Sequence, residues 1–91
     1  AMQNQTGAAQ TVYTIADGQA EAAEFLVEEG TRFLGKPLKE LHLKKNVLVA
    51  CITKGVRQEI PNGDSYFEKG DTVIIVTNGK KGIYQLNDIF E

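Results

Sequence analysis

The chain has 91 residues, 10 Lys and Arg against 12 Asp and Glu, and a formal net charge of −2. That is room for one small domain, and it leaves no basic field for non-specific nucleic-acid binding. Hydrophobic residues at 42% and charged residues at 24% suit a folded domain, while one Cys and one His exclude an internal disulfide and a Cys/His zinc cage.

Residues 1–11 are small and polar without period, and they read as a flexible lead and linker. Ala1 ahead of Met2 looks like a remnant of a cleaved tag. The lead has no basic n-region followed by an apolar stretch, so it is not a signal peptide. The longest apolar run, Val47 to Ile52, is strand length and far short of a membrane span. Together with the single thiol, these features favour the cytoplasm.

The domain proper is expected over residues 12–91. Val12-Tyr13-Thr14-Ile15 is β-prone, and Asp17-Gly18 is a turn signal. Ala22 to Glu28 reads as a strand, with a short helix as the competing reading. Pro37 suits the first turn of a short helix, on which Leu38 and Leu41 share a face. Val47 to Thr53 is the clearest strand. It is apolar at almost every position, which predicts a central strand covered on both faces. Lys54-Gly55 turns the chain into a strand from Arg57 to Ile60. Pro61-Asn62-Gly63-Asp64 and Glu68-Lys69-Gly70-Asp71 are two further turns, and Thr72 to Thr77 is another buried strand. Gly82 to Glu91 reads as a closing helix, with Ile83, Leu86 and Phe90 at helical spacing. The fold class predicted is α+β: a small, mainly antiparallel sheet in the order β-α-β-β-β-α, with the helices packed on one face.

Several residues invite a chemical reading. Gly79-Lys80-Lys81-Gly82 lacks the spacing of a phosphate-cradling loop and reads as a solvated turn. Cys51, inside a strand, reads as a buried structural thiol rather than a nucleophile. Asp64 and Asp71 each follow a glycine. A carboxylate pair could hold a metal, but each is expected to cap its own turn through a side-chain oxygen. Tyr66, Phe67, Tyr84 and Phe90 read as core, with any exposed subset available to a dimer interface. His42, Lys44, Lys45 and Asn46 cluster before the central strand, either as a solvated loop or as the rim of a cleft for an anion. No nucleophile–base pair, metal set or acid/base pair points to an enzyme.

From Glu21 onward the ordered patterns resemble a known family. They are Glu24-Phe25-Leu26-Val27, then Leu34-Gly35-Lys36-Pro37-Leu38-Lys39-Glu40-Leu41, then the strand at 47–52. Ile60-Pro61-Asn62-Gly63-Asp64 and Glu68-Lys69-Gly70-Asp71-Thr72-Val73-Ile74-Ile75-Val76 complete the set. This order is similar to the C-terminal subdomain of the TrkA/RCK regulators of potassium conductance. The resemblance implies a TrkA C-terminal domain-like fold, usually paired as a homodimer. It implies a regulatory, ligand-sensing and dimerisation module of a Trk/Ktr-type potassium uptake system, coupled to a membrane-embedded channel or transporter subunit through the rest of the protein. The alternatives are a ligand-free structural dimerisation module and a sensor fused to another cation or solute transporter.

In some members of the family the paired subdomains bind cyclic di-AMP at the dimer interface, and the matching positions here are Leu43, Lys44, Asn46 and Pro61. NAD or ATP would bind an upstream Rossmann subdomain, whose Gly-x-Gly-x-x-Gly fingerprint this chain lacks. The chain departs from the pattern twice. Lys54-Gly55-Val56 stands where members often carry Arg-Asp-Gly. Lys44 stands where ligand-binding members tend to carry an Arg, and a lysine meets a phosphate as a point charge rather than a fork.

Overall fold

A computed structural model describes residues 9–15, 17–78 and 83–91. Five strands form one antiparallel sheet: β1 (Ala9–Ile15), β2 (Ala20–Leu26), β3 (Val47–Lys54), β4 (Arg57–Glu59) and β5 (Thr72–Asn78). Their order in the sheet is β1-β2-β5-β3-β4. The last strand in sequence therefore sits in the middle, hydrogen-bonded to β2 on one side and β3 on the other. Helical structure among the described residues is confined to two 3-10 turns, Leu38–Glu40 and Leu86–Ile89.

Three expectations change. The strand expected from Val12 begins at Ala9, so β1 takes in residues assigned to the lead. The segment at 22–28 is the strand reading, shifted to Ala20–Leu26, and not a helix. The two helices expected against one face shrink to single 3-10 turns, and the domain is dominated by its sheet. After Pro37 only three residues turn before Leu41 returns to extended backbone at ψ 146. At the C-terminus, Asp88 accepts the N–H groups of both Tyr84 and Gln85. A segment this short has too little length to repay helix nucleation, so bonds to distant partners decide its shape.

The register explains the core. Facing pairs across β2 and β5 put Ala23 opposite Ile75 and Phe25 opposite Val73; across β3 and β5, Val49 lies opposite Ile75 and Ile52 opposite Val73. Because side chains alternate, these pairs share one face. That face is covered by Phe67, Leu86, Ile89 and Phe90, with Leu38, Leu41 and Leu43 packed at its margin. Phe25, Ile52, Phe67, Ile75, Leu86 and Ile89 are fully buried. Each such side chain contributes roughly 1.5–3 kcal/mol relative to exposure.

The opposite face carries Ala22, Leu26, Ile74, Val76, Leu48 and Cys51 and is half-open. The expectation that β3 is central and covered on both faces is therefore corrected. β5 is the central strand, and Leu48 on β3 is 61% exposed. A bulge at Ala50 lets β3 keep both Val49 and Ile52 on the core face.

The β3–β4 hairpin closes through Gly55 and Val56, with Gly55 at φ +62. A two-residue loop wants positive φ at its first position, which is where this chain places its glycine.

Candidate functional site

The crossover from β2 to β3 carries most of the residues singled out before. Its first 3-10 turn is stitched to the Asn62–Ser65 turn: Leu38 N donates to Ser65 O at 2.8 Å and Lys39 N to Gly63 O at 2.9 Å. Asn62 Oδ1 accepts the Asp64 N–H, and Ser65 Oγ accepts the Asn62 N–H. Between these two turns and the start of β3 lies a groove of about 260 Å³. Leu38, Leu43, Val47, Leu48 and Pro61 form its apolar walls, with Lys39 at its edge.

Leu43 and Pro61, expected to serve one site from opposite ends of the β3–β4 hairpin, do line this common groove. Leu43 is held by a bridge to Phe90. Lys44 and Asn46 are exposed and stand on the loop that enters β3, outside the lining. The Lys44 N–H donates to Ile89 O, which fixes its backbone and leaves the side chain in solvent. Asn46 adopts φ +68, a left-handed conformation that Asn tolerates better than most residues, and its carbonyl accepts the Asn78 N–H.

The cations near the groove differ in how they are engaged. Lys39 Nζ lies 2.9 Å from Asp64 Oδ1. The hydrogen bond and charge of Asp64 hold the Lys39 ammonium above its ordinary pKa. Both partners are largely exposed, so this contact orients the side chains more than it stabilises the fold. Lys44 takes part in none of the ion pairs found among the described residues.

A second polar cluster was not foreseen. Lys54 at the end of β3 reaches Asp71 Oδ2 at 2.6 Å and Glu68 Oε1 at 3.2 Å, and its ammonium lies 4.7 Å from the Tyr66 ring centre. Burial works against the charged ammonium, but hydrogen bonds to Asp71 and Glu68 outweigh it and hold the Lys54 pKa up. Asp71 also caps its own turn by accepting the Glu68 N–H, as expected of it. Asp64 does not cap its turn; its carboxylate goes to Lys39, and the side chain of Asn62 caps instead. Among the described residues no group of His, Cys, Asp and Glu is arranged to hold a metal ion.

Of the remaining candidates, Cys51 is half-buried on the open face opposite Ile74, rather than buried in the core. Phe67 and Phe90 are core, whereas Tyr66 and Tyr84 are exposed. Gly79-Lys80-Lys81-Gly82, expected to be a solvated turn, lies outside the described residues. No helix among the described residues is long and apolar enough to cross a membrane.

The crossover, the turns that clasp it and strands β3 to β5 fall within the span of a known family pattern. The pattern of the TrkA-C domain matches residues 22–90, and the chain belongs to that family. A Trk system potassium uptake protein TrkA homolog from Archaeoglobus fulgidus is 37% identical over 79 residues, covering 87% of this chain and 18% of the relative. A TrkA homolog 1 from Methanosarcina mazei is 36% identical over 66 residues, covering 72% of the chain and 15% of the relative. The Trk system potassium uptake protein TrkA of Mycobacterium tuberculosis is 32% identical over 59 residues, 65% of the chain and 27% of the relative. The chain thus spans less than a third of the length of each of these curated relatives.

Proposed function

We propose that this chain is a non-catalytic regulatory module of a potassium uptake system, working as a homodimer in the cytoplasm. The observation that carries the reading is the family match over residues 22–90, together with relatives named for the Trk potassium uptake system. In this reading the module passes the state of a ligand, or of a neighbouring nucleotide-binding domain, to a membrane-embedded transporter. The physical step is a population shift: a ligand touching two protomers favours the relative orientation it binds better.

The groove at Leu43 and Pro61 is the proposed binding place, with Lys44 and Asn46 at its rim. Its chemistry suits a nucleotide, a flat base against Leu43, Leu48 and Pro61 and a phosphate near the Lys44 ammonium. At about 260 Å³ it is smaller than the roughly 300–1,000 Å³ usual for a small-molecule site, and in this reading a second protomer completes it. Cyclic di-AMP, with two bases and two phosphates, is the first ligand to try.

A thermal-shift series with cyclic di-AMP, ATP, ADP and NAD tests the reading. A ligand at 100 times its Kd adds about 2.7 kcal/mol to stability. Cyclic di-AMP is expected to raise Tm, and Lys44→Ala to abolish the rise without lowering the unliganded Tm. No shift with any of the four leaves a ligand-free dimerisation module in its place.

A further inference from the structure

Two cations stand against one aromatic ring in the loop between β2 and the first 3-10 turn. The Arg32 guanidinium lies 4.8 Å from the centre of the Phe33 ring and 5.6 Å from that of Phe90, and Lys36 Nζ lies 5.5 Å from the Phe33 centre. Neither enters an ion pair found among the described residues, whereas Lys39, Lys54, Arg57 and Lys69 each meet a carboxylate. Residues 32–36 are all exposed, and Phe33 and Leu34 each leave 38% of their surface in solvent. A guanidinium held over a ring still has N–H donors to fork onto a carboxylate.

The loop is tied down along its length. Asn87 reaches it from the C-terminal turn, accepting the Arg32 N–H at 2.8 Å and donating to Gly30 O at 3.0 Å. Gly35 N donates to Phe67 O, and Lys36 N to Phe33 O. Phe33 sits at φ +61, where a bulky side chain is costly and glycine is not. Its ring contact with Phe90 does little more than offset that cost, so the fold gains little from a phenylalanine at this position. Residues held in such backbone gather where ligands or partners are gripped.

We propose that residues 32–36 form a docking surface for a partner protein, which offers an acidic segment with an apolar side chain beside its carboxylates. Arg32 and Lys36 meet the carboxylates, and Phe33 and Leu34 meet the apolar side chain. Charge complementarity selects this occupant over a lipid surface. Two basic residues are too few to hold a chain of net charge −2 on an anionic bilayer, which takes a polybasic patch. The surface shares no residue with the groove lined by Leu43 and Pro61, so it gives the module a second point of contact that does not require a nucleotide.

A random copolymer of glutamate and tyrosine is the probe, with vesicles of equal parts phosphatidylserine and phosphatidylcholine as the lipid arm. Each is titrated into the isotope-labelled 91-residue chain at about 50 mM salt, where surface charges are weakly screened. The copolymer should shift the amide resonances of residues 32–36. It should bind about tenfold more weakly to the double variant Arg32→Gln, Lys36→Gln. Phe33→Gly, shown by its Tm to be folded, should weaken binding as well. Arg57→Gln removes an exposed cation from β4 and should leave binding within about twofold.

An equal loss with Arg57→Gln means attraction by charge alone and overturns the surface. Binding to the vesicles but not to the copolymer overturns the protein partner. Undiminished binding to Phe33→Gly overturns the role of the ring. No shift at residues 32–36 with either probe overturns the proposal and leaves the nucleotide reading standing, since the cyclic di-AMP series tests that separately.

Discussion

Lys54 Nζ lies 2.6 Å from Asp71 Oδ2, and Asp71 is 5% exposed. The pair joins the end of β3 to the turn that launches β5. It also sits beside two backbone bonds, Val27 N to Asp71 O and Gly70 N to Val27 O, that hold the end of β2 to the same turn. Three strands are thereby anchored at one corner of the sheet. Asp71→Ala takes the shorter of two carboxylate partners from Lys54, leaving Glu68 at 3.2 Å, and removes the cap on Glu68 N. The expected loss is about 2–3 kcal/mol, below the 3–5 typical of breaking a fully buried pair because Lys54 keeps some contact with water. Urea unfolding of the variant checks it.

The same lysine predicts a pH dependence. Its folded pKa is raised above the unfolded value near 10.4. A raised lysine contributes stability that is fully present below the unfolded value and lost as pH rises through the folded one. The stability difference between wild type and Lys54→Met should therefore hold constant from pH 7 to about 10 and shrink above that. A difference that shrinks between pH 7 and 9 contradicts the assignment.

Phe33 is a bulky residue at φ +61, and its ring packs edge-on against Phe90 with centroids 5.0 Å apart. Arg32 lies over the same ring at 4.8 Å. The left-handed backbone costs about 1–2 kcal/mol and the ring contact returns about 0.5–1.5. Phe33→Ala keeps the strain and loses the ring, so it should cost about 0.5–1.5 kcal/mol. Phe33→Gly relieves the strain and should be close to neutral, although glycine replaces a larger side chain. The order of the two Tm values checks this.

Asn46 allows backbone and ligand roles to be separated. Its φ of +68 suits Asn or Gly and penalises a β-branched residue. Asn46→Gly should leave stability within about 0.5 kcal/mol, while Asn46→Val should cost about 1–2. If the side chain also contacts a nucleotide, Asn46→Gly lowers the ligand-induced rise in Tm without changing the unliganded value. Paired thermal scans measure both.

The sheet was largely legible because its strands carry local signals. β3 and β5 are β-branched and apolar, and Gly55 and Gly70 mark turns that do require positive φ. The C-terminal segment misled for a definite reason. Ile83, Leu86 and Phe90 have helical spacing, but the backbone there is committed to distant partners. Ile89 O accepts from Lys44 N and Glu91 N donates to His42 O, and the Asn87 side chain adds a third tie by accepting the Arg32 N–H at Oδ1. Leu86 and Phe90 are buried all the same, because the periodicity recorded burial correctly and its cause incorrectly. The β3 strand was overread in the same way: an apolar run signals a strand but does not report which neighbour lies on each face. The Lys54–Asp71 contact spans 17 residues and leaves no local mark in the sequence.

The central place of β5 governs how the chain must assemble. β2 and β3 do not touch in the sheet; each pairs with β5, which lies nearest the C-terminus. Among the described strands, only the β1–β2 and β3–β4 hairpins can form before residues 72–78 arrive, and isolated hairpins are marginal in water. On a ribosome both would wait, with apolar edges open, until the last strand emerged and slotted between them. Folding should therefore be slow for 91 residues and concentrated into one late step. A release-coupled assay on stalled chains should find protease resistance appearing only once β5 has cleared the exit tunnel.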